Sequence, residues 1–174
     1  MERKRNMEIK KCILKILKDD KDKKILYFGT NVAQSIGMSR ILEKEGYKSV
    51  AITADTPKSK RREYIRIFND EKSKDIQILC NYNVLSTGFD SPKVDTIIIA
   101  RPTTSVVAYQ QMIGRGLRGE VFGGTKECWI WTVGDNIKKF GGEKIKLGYQ
   151  TYIEEIDIAP DNRPRPLYRS RRDH

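Results

Sequence analysis

Residues 84–118 read VLSTGFDSPKVDTIIIARPTTSVVAYQQMIGRGLR. From Ser105 onward, apolar and polar residues recur with a helical period. At about 100° per residue, Gln111, Arg115 and Arg118 fall within roughly 60° of one another on the helix surface. Val106, Tyr109, Met112, Ile113 and Leu117 centre on the opposite side. One side of this helix is therefore expected to be buried while the other presents an amide and two guanidiniums at a shared point. Two guanidiniums held together suit a polyanion, most simply a phosphate. The competing reading is a solvated helix face that carries arginine for solubility. Gly114 and Gly116 weigh against it, because each costs the helix about 1 kcal/mol relative to Ala. Glycine there is easier to explain where something approaches the backbone closely.

The charge of the whole chain points the same way. Its 174 residues include 34 Lys and Arg against 23 Asp and Glu, a net charge of +11, so nucleic acid is the default partner. Three cysteines, Cys12, Cys80 and Cys128, lie far apart with no C-x-x-C pair, which fits a reducing compartment and argues against a disulfide framework or a zinc site. The single histidine is His174. Ser–His nucleophilic catalysis and multi-histidine metal sites are thereby excluded, and no residue is assigned as a metal ligand. No apolar run approaches the ~20 residues of a membrane span. The basic N-terminus is not followed by a signal-peptide core. A soluble, cytoplasmic protein without a membrane partner is expected.

Taken in order, the chain alternates helical and extended patterns. Residues 1–20 place Met7, Ile9, Cys12, Ile13, Ile16 and Leu17 at mostly helical spacing. Residues 24–28 (KILYF) form a buried-strand candidate. Asn31 and Gln34 have the form of a capping box, so a helix is expected to begin there and to end at Gly46. Residues 47–52 are the second strand candidate. Thr56 and Pro57 look like an N-cap and first helical residue, opening a helix through Phe68 that carries Lys58, Lys60, Arg61, Arg62 and Arg66. Residues 76–80, 94–100 and 127–133 are three further strand candidates. Residues 143–156 read as weakly helical, and the Pro- and Arg-rich segment from Pro160 as a tail that is mobile unless bound. Apolar strands alternating with helices imply βαβ units on a parallel sheet, an α/β fold. Ligands gather at the carboxyl ends of such strands. The loops there, around 29–31, 54–56, 81–90, 101–104 and 134–136, are rich in Gly, Thr, Ser, Asn and Asp.

Within residues 83–92, Thr87 offers a hydroxyl and Gly88 an amide to a phosphate, and Asp90 a carboxylate to a ribose. Thr-Gly and Asp-Ser-Pro also make ordinary turns. Thr87-Gly88-Phe89-Asp90 followed by Gln111-Met112-Ile113-Gly114-Arg115-Gly116-Leu117-Arg118 resembles motifs V and VI of superfamily 2 helicases. Residues 25–35 resemble motif IV, residues 52–68 the segment after it, and Arg101-Pro102-Thr103-Thr104-Ser105 the link into motif VI. The resemblance spans roughly residues 23–141. It is to the second RecA-like lobe, and to the restriction-enzyme and repair-helicase branch rather than the RNA branch, where motif VI usually begins with His-Arg instead of Gln110-Gln111.

That resemblance implies a three-layer α/β/α RecA-like domain with a mainly parallel sheet. Together with the residue patterns, the chain is expected to divide into an N-terminal helical segment (1–22), the lobe (23–159) and the tail (160–174). The resemblance carries the site roles as well. It implies that Arg115 and Arg118 reach the γ-phosphate of an ATP held with Mg²⁺ mainly by another lobe. Gln111 would couple nucleotide to nucleic acid, and Gly88 and Asp90 would lie at the nucleotide. Gly29, Thr30, Arg62 and Thr87 would touch the nucleic-acid backbone, DNA rather than RNA. A complete motor also needs G-x-x-x-x-G-K-[ST], which does not occur here; Gly123-Gly124-Thr125-Lys126 has the composition without the spacing. The chain alone is therefore not expected to hydrolyse ATP. It is expected to work with an N-terminal RecA-like lobe in the same or another chain. The alternative is a non-catalytic nucleic-acid-binding or interaction module on the same fold. Two other patterns carry less. Residues 114–119 match G-x-G-x-x-G, with Asp135 beyond, but close a helix instead of opening one. Asp135 and Glu143 lack the paired-carboxylate and lysine arrangement of a nuclease.

Overall fold

The computed structural model describes residues 2–85, 93–103, 105–113, 128–133, 151–156 and 165–169. Three short apolar runs fold as β1 (Ile25–Phe28), β3 (Ile78–Asn81) and β4 (Thr96–Ile99), each buried at every position. Burial on both faces is what a central parallel strand requires. Around them lie β2 (Ser49–Ile52), β5 (Cys128–Val133), β6 (Thr151–Ile156) and β7 (Arg165–Arg169). The sheet order is β2-β3-β1-β4-β5-β6-β7, parallel from β2 through β6, with β7 antiparallel at the edge.

Alternate residues of each strand feed two separate cores. Leu26, Phe28, Leu79, Ile97 and Ile99 face one side, where α3 (Lys58–Asn69) contributes Phe68 and α4 (Val106–Ile113) contributes Met112. Ile25, Tyr27, Ile78, Cys80 and Ile98 face the other, under α1 (Glu2–Asp19) and α2 (Val32–Lys44). Ile9, Ile13 and Leu17 of α1 and Leu42 of α2 are fully buried there. Each such side chain stabilises the fold by about 1.5–3 kcal/mol relative to exposure. The result is the three-layer α/β/α arrangement.

The ends of α2 follow from local chemistry. Asn31 Oδ1 accepts from the Gln34 amide at 2.8 Å. Gln34 Oε1 turns back to accept from the Thr30 amide at 3.2 Å, one residue before the partner a capping box would use. At the other end Gly46 adopts φ +92°, with Gly46 N bonded to Glu43 O and Tyr47 N to Leu42 O. This paired closure is a Schellman motif, and its left-handed residue favours glycine.

Four expectations change. Met7 is 52% exposed and lies off the buried stripe of α1. Pro57, with ψ 142°, is the N-cap of α3, because the Thr56 hydroxyl is instead taken by the Thr53 amide at 2.9 Å. Residues 151–156, read as helical, are β6, paired along its length with β5 from Cys128↔Thr151 to Val133↔Ile156. Inter-strand pairing overrides a weak local helical pattern. Finally, five residues of the Pro- and Arg-rich segment form β7, and Pro166 is tolerated there because the strand is at the edge. Among the described residues no helix is long and apolar enough to cross a membrane.

Candidate functional site

The register aligns the strand ends. Ile52 pairs with Asn81, Asn81 with Phe28, Phe28 with Ile99, and Ile99 with Thr132. Five carboxyl ends therefore lie in one row, and the loops that leave them share one edge of the sheet. Asn81 organises the middle of this row. It is fully buried, so each of its polar atoms needs a partner. Its Nδ2 donates to Tyr27 O at 2.9 Å, and its Oδ1 accepts from Leu85 N at 3.2 Å. Its backbone carbonyl accepts from Gly29 N at 2.8 Å and from Ser35 Oγ at 3.0 Å. One residue thus ties β1, the Gly29 turn, the first turn of α2 and the loop after β3.

Gly29 sits in a cradle with no room for a side chain. A Cβ there would lie 2.1 Å from Ser35 Oγ and 2.3 Å from Gln34 Oε1. Thr30, half-buried beside it, has its amide held by Gln34, whose Nε2 also donates to the Tyr27 hydroxyl and to Asn6 of α1. Burial pushes the Tyr27 phenol well above its ordinary range, so it stays neutral. At the end of β2, Arg61 Nη2 donates to Thr53 O at 3.3 Å, while the neighbouring Arg62 is exposed on α3. At the end of β4, Arg101 Nη1 donates to Asn83 Oδ1, and the guanidinium lies 5.1 Å from the centre of the Tyr82 ring.

Ser105 caps α4, its Oγ accepting from Ala108 N at 3.1 Å. In the last turn Met112 is buried and Gln111 is exposed, the partition read from the helical wheel. Of the residues singled out by sequence, Gly29 is bonded to the Asn81 hub, and Thr30 beside it is held by Gln34. Arg62 and Gln111 face outward on α3 and α4. Thr87, Gly88, Asp90, Arg115 and Arg118 lie outside the described residues. The sequence places Asn81, Ser35, Asn83 and Arg101 within strand-end loops and helicase-like segments but assigns none of them a role of its own. The available signal was the polar Asn81 closing the apolar run ILCN.

Residues 8–120 match the family described as helicase conserved C-terminal domain. The chain belongs to this family. The protein named ATP-dependent helicase IRC3 from Saccharomyces cerevisiae is 33% identical over 115 residues, covering 64% of this chain and 16% of that protein. The chain therefore spans about one-sixth of the length of this curated relative. Among solved structures, a fragment of an HsdR subunit of a type I restriction enzyme from Vibrio vulnificus YJ016 superposes with TM-score 0.69 at 20% identity. It covers 88% of this chain and 32% of that one. The E. coli DEAD-box protein SrmB superposes with TM-score 0.68 at 18% identity, covering 97% of this chain and 92% of that one. At such identities the superpositions speak for the fold. This helicase C-terminal domain is a second RecA-like lobe of superfamily 2, and its aligned carboxyl edge is the part of that lobe where ligands of parallel sheets gather.

Proposed function

We propose that this lobe is half of an ATP-driven motor that moves on DNA, completed by an N-terminal lobe that holds most of the nucleotide and its Mg²⁺. The observation that carries the reading is the family match over residues 8–120, which encloses Thr87–Asp90 and Gln111–Arg118 in the order a motor requires. The exposure of Gln111 against the burial of Met112 fits a helix that turns its polar face outward. In the sequence alone, Gln111, Arg115 and Arg118 recur at the spacing of one helix side.

In this reading the bound nucleotide supplies the phosphoryl group whose transfer drives the motor. Arg115 and Arg118 bring two fixed positive charges to its γ-phosphate as charge develops on departure. Gln111 links that end of the site to nucleic acid. Gly88 and Asp90 lie at the nucleotide, the carboxylate toward the ribose. Thr87, the Gly29–Thr30 turn and Arg62 meet the phosphodiester backbone, supported by the +11 charge.

The test uses the protein in which this chain is joined to a P-loop lobe. DNA should stimulate its ATPase more than RNA does. Arg118→Ala should lower kcat by about 10³-fold while nucleotide binding changes little. Unchanged turnover would remove Arg118 from catalysis. DNA binding without any ATPase in the joined protein would favour a non-catalytic binding module.

A further inference from the structure

We infer that Arg101 is a positioning residue that clamps the two halves of the proposed site to each other, with Tyr82 and Asn83 as what it grips; this rests on the motor reading. Arg101 leaves the end of β4 immediately after Ala100. Tyr82 and Asn83 leave the end of β3 immediately after Asn81. These strands are not neighbours, because β1 lies between them. Their ends are therefore separated by two strand spacings, about 9–10 Å. Arg101 bridges that gap with two different contacts, a hydrogen bond from Nη1 to Asn83 Oδ1 and a guanidinium placed 5.1 Å from the Tyr82 ring centre. The planar fork suits this double use, since it can donate in its plane and stack through its face.

Asn83 is itself constrained. It has φ 57°, the left-handed conformation that asparagine tolerates better than most side-chain-bearing residues. That conformation turns the chain so that Leu85 N can return to Asn81 Oδ1. The clamp thus acts on a loop whose start is already fixed to β3. Each gripped point leads into one half of the proposed site. From Asn83 the chain proceeds toward Thr87, Gly88 and Asp90. From Arg101 it proceeds through Thr103, whose Oγ1 accepts from Ser105 N at 3.3 Å, into the α4 cap and on to Gln111. Arg101 therefore sets the separation between the point where one half begins and the point where the other begins.

The sheet does not need this contact for its integrity. β1 already joins β3 and β4 through its own ladders, with Gly29 N bonded to Asn81 O and Ala100 N to Phe28 O. A surface contact of this kind adds little to global stability. Catalytic geometry is far less tolerant, and a displacement of about 1 Å can cost 10²-fold in rate.

The experiment compares Arg101→Met, Arg101→Lys, Asn83→Gly and the Arg101→Met/Asn83→Gly double variant in the protein joined to its P-loop lobe. Asn83→Gly keeps the left-handed backbone and deletes the acceptor. Expected are a DNA-stimulated kcat lowered about tenfold in both single losses, KM for ATP within about twofold, and a double variant no worse than either single one. Arg101→Lys, with charge but no fork, should restore little. Unchanged kcat in Arg101→Met, or full rescue by lysine, overturns the clamp. Hydrogen exchange of peptides covering 81–85 and 105–113, read alongside the melting temperature, separates this from the motor reading. If the parent protein shows no DNA-stimulated ATPase, the motor reading fails. Faster exchange at 81–85 in Arg101→Met with an unchanged melting temperature then still supports the clamp, and unchanged exchange overturns it.

Discussion

Replacing Gly29 by alanine tests the geometry of the carboxyl edge. The added Cβ would stand 2.1 Å from Ser35 Oγ and 2.3 Å from Gln34 Oε1, where ordinary contacts begin near 3.4 Å. Both side chains would have to retreat by more than 1 Å, and neither is idle. The Ser35 hydroxyl is shared between Asn31 O and Asn81 O, each at 3.0 Å, and Gln34 Oε1 holds the Thr30 amide. Two hydrogen bonds at about 1 kcal/mol each, plus the cost of leaving a buried carbonyl less well met, come to about 3 kcal/mol. For a chain of this length that corresponds to a melting temperature lower by ~6–12 °C. Thermal unfolding followed by circular dichroism measures it directly. A Gly29→Ala variant that melts within about 2 °C of the parent would refute the cradle.

Two other glycines, in and just after α2, should respond differently. Gly37, where an added Cβ would meet nothing within 4 Å, should gain up to about 1 kcal/mol as Gly37→Ala. Gly46→Ala should lose about 1–2 kcal/mol because φ is +92° there, and the two variants' denaturant midpoints should move in opposite directions. Asp95 should impose a pH dependence. Burial raises its carboxyl from 3.8 to about 6, against the Lys24 amide, the Lys23 charge and the Thr96 hydroxyl, which act to lower it. Between those values the folded state binds more protons than the unfolded one, so stability should fall as pH rises from about 4 to about 6 and then level. Asp95→Asn should remove that slope, worth at most about 3 kcal/mol; urea midpoints across the window that keep the parent's slope would count against it.

How legible the fold was depended on whether a signal was local. The runs ILYF and TIII, the Asn31 cap and the Gly46 stop are local, and the structure has them where the residues placed them. β6 and β7 were not legible because neither has a strong pattern of its own. β6 is a strand by virtue of β5 beside it, and β7 by virtue of β6. The N-cap of α3 shifted by one residue because Thr56 found a partner three residues back, a competition composition does not reveal. The outward face of α4 was legible at Gln111 and Met112, since helical period alone decides it. Asn81 was not, because a polar residue at a strand end looks like the start of a turn until its four partners are seen. Arg101 and Asn83 are 18 positions apart and meet across a strand that belongs to neither.

The distribution of buried polar side chains bears on what the edge is for. Burying an amide or hydroxyl costs free energy unless its partners are supplied, and apolar residues of similar size would avoid the problem. Yet Ser35, Thr53, Asn81, Thr103 and Thr132 are all buried at or next to the carboxyl ends of the strands. Between that row and the buried Ser49 and Thr96 that open β2 and β4, the strands are filled mainly by Ile, Leu and aromatic residues. An apolar residue at 81 would leave the Leu85 amide and the Tyr27 carbonyl without their side-chain partner. The loop after β3 would then begin from a loose end. Polar burial at this row therefore fixes where the loops start, at the expense of the simpler apolar solution. For a lobe proposed to present Thr87, Asp90 and the α4 face to a nucleotide held by another lobe, the starting points of those segments are what the sheet can determine by itself. Asn81 fixes one of them from beneath, and Arg101 fixes its distance from the other.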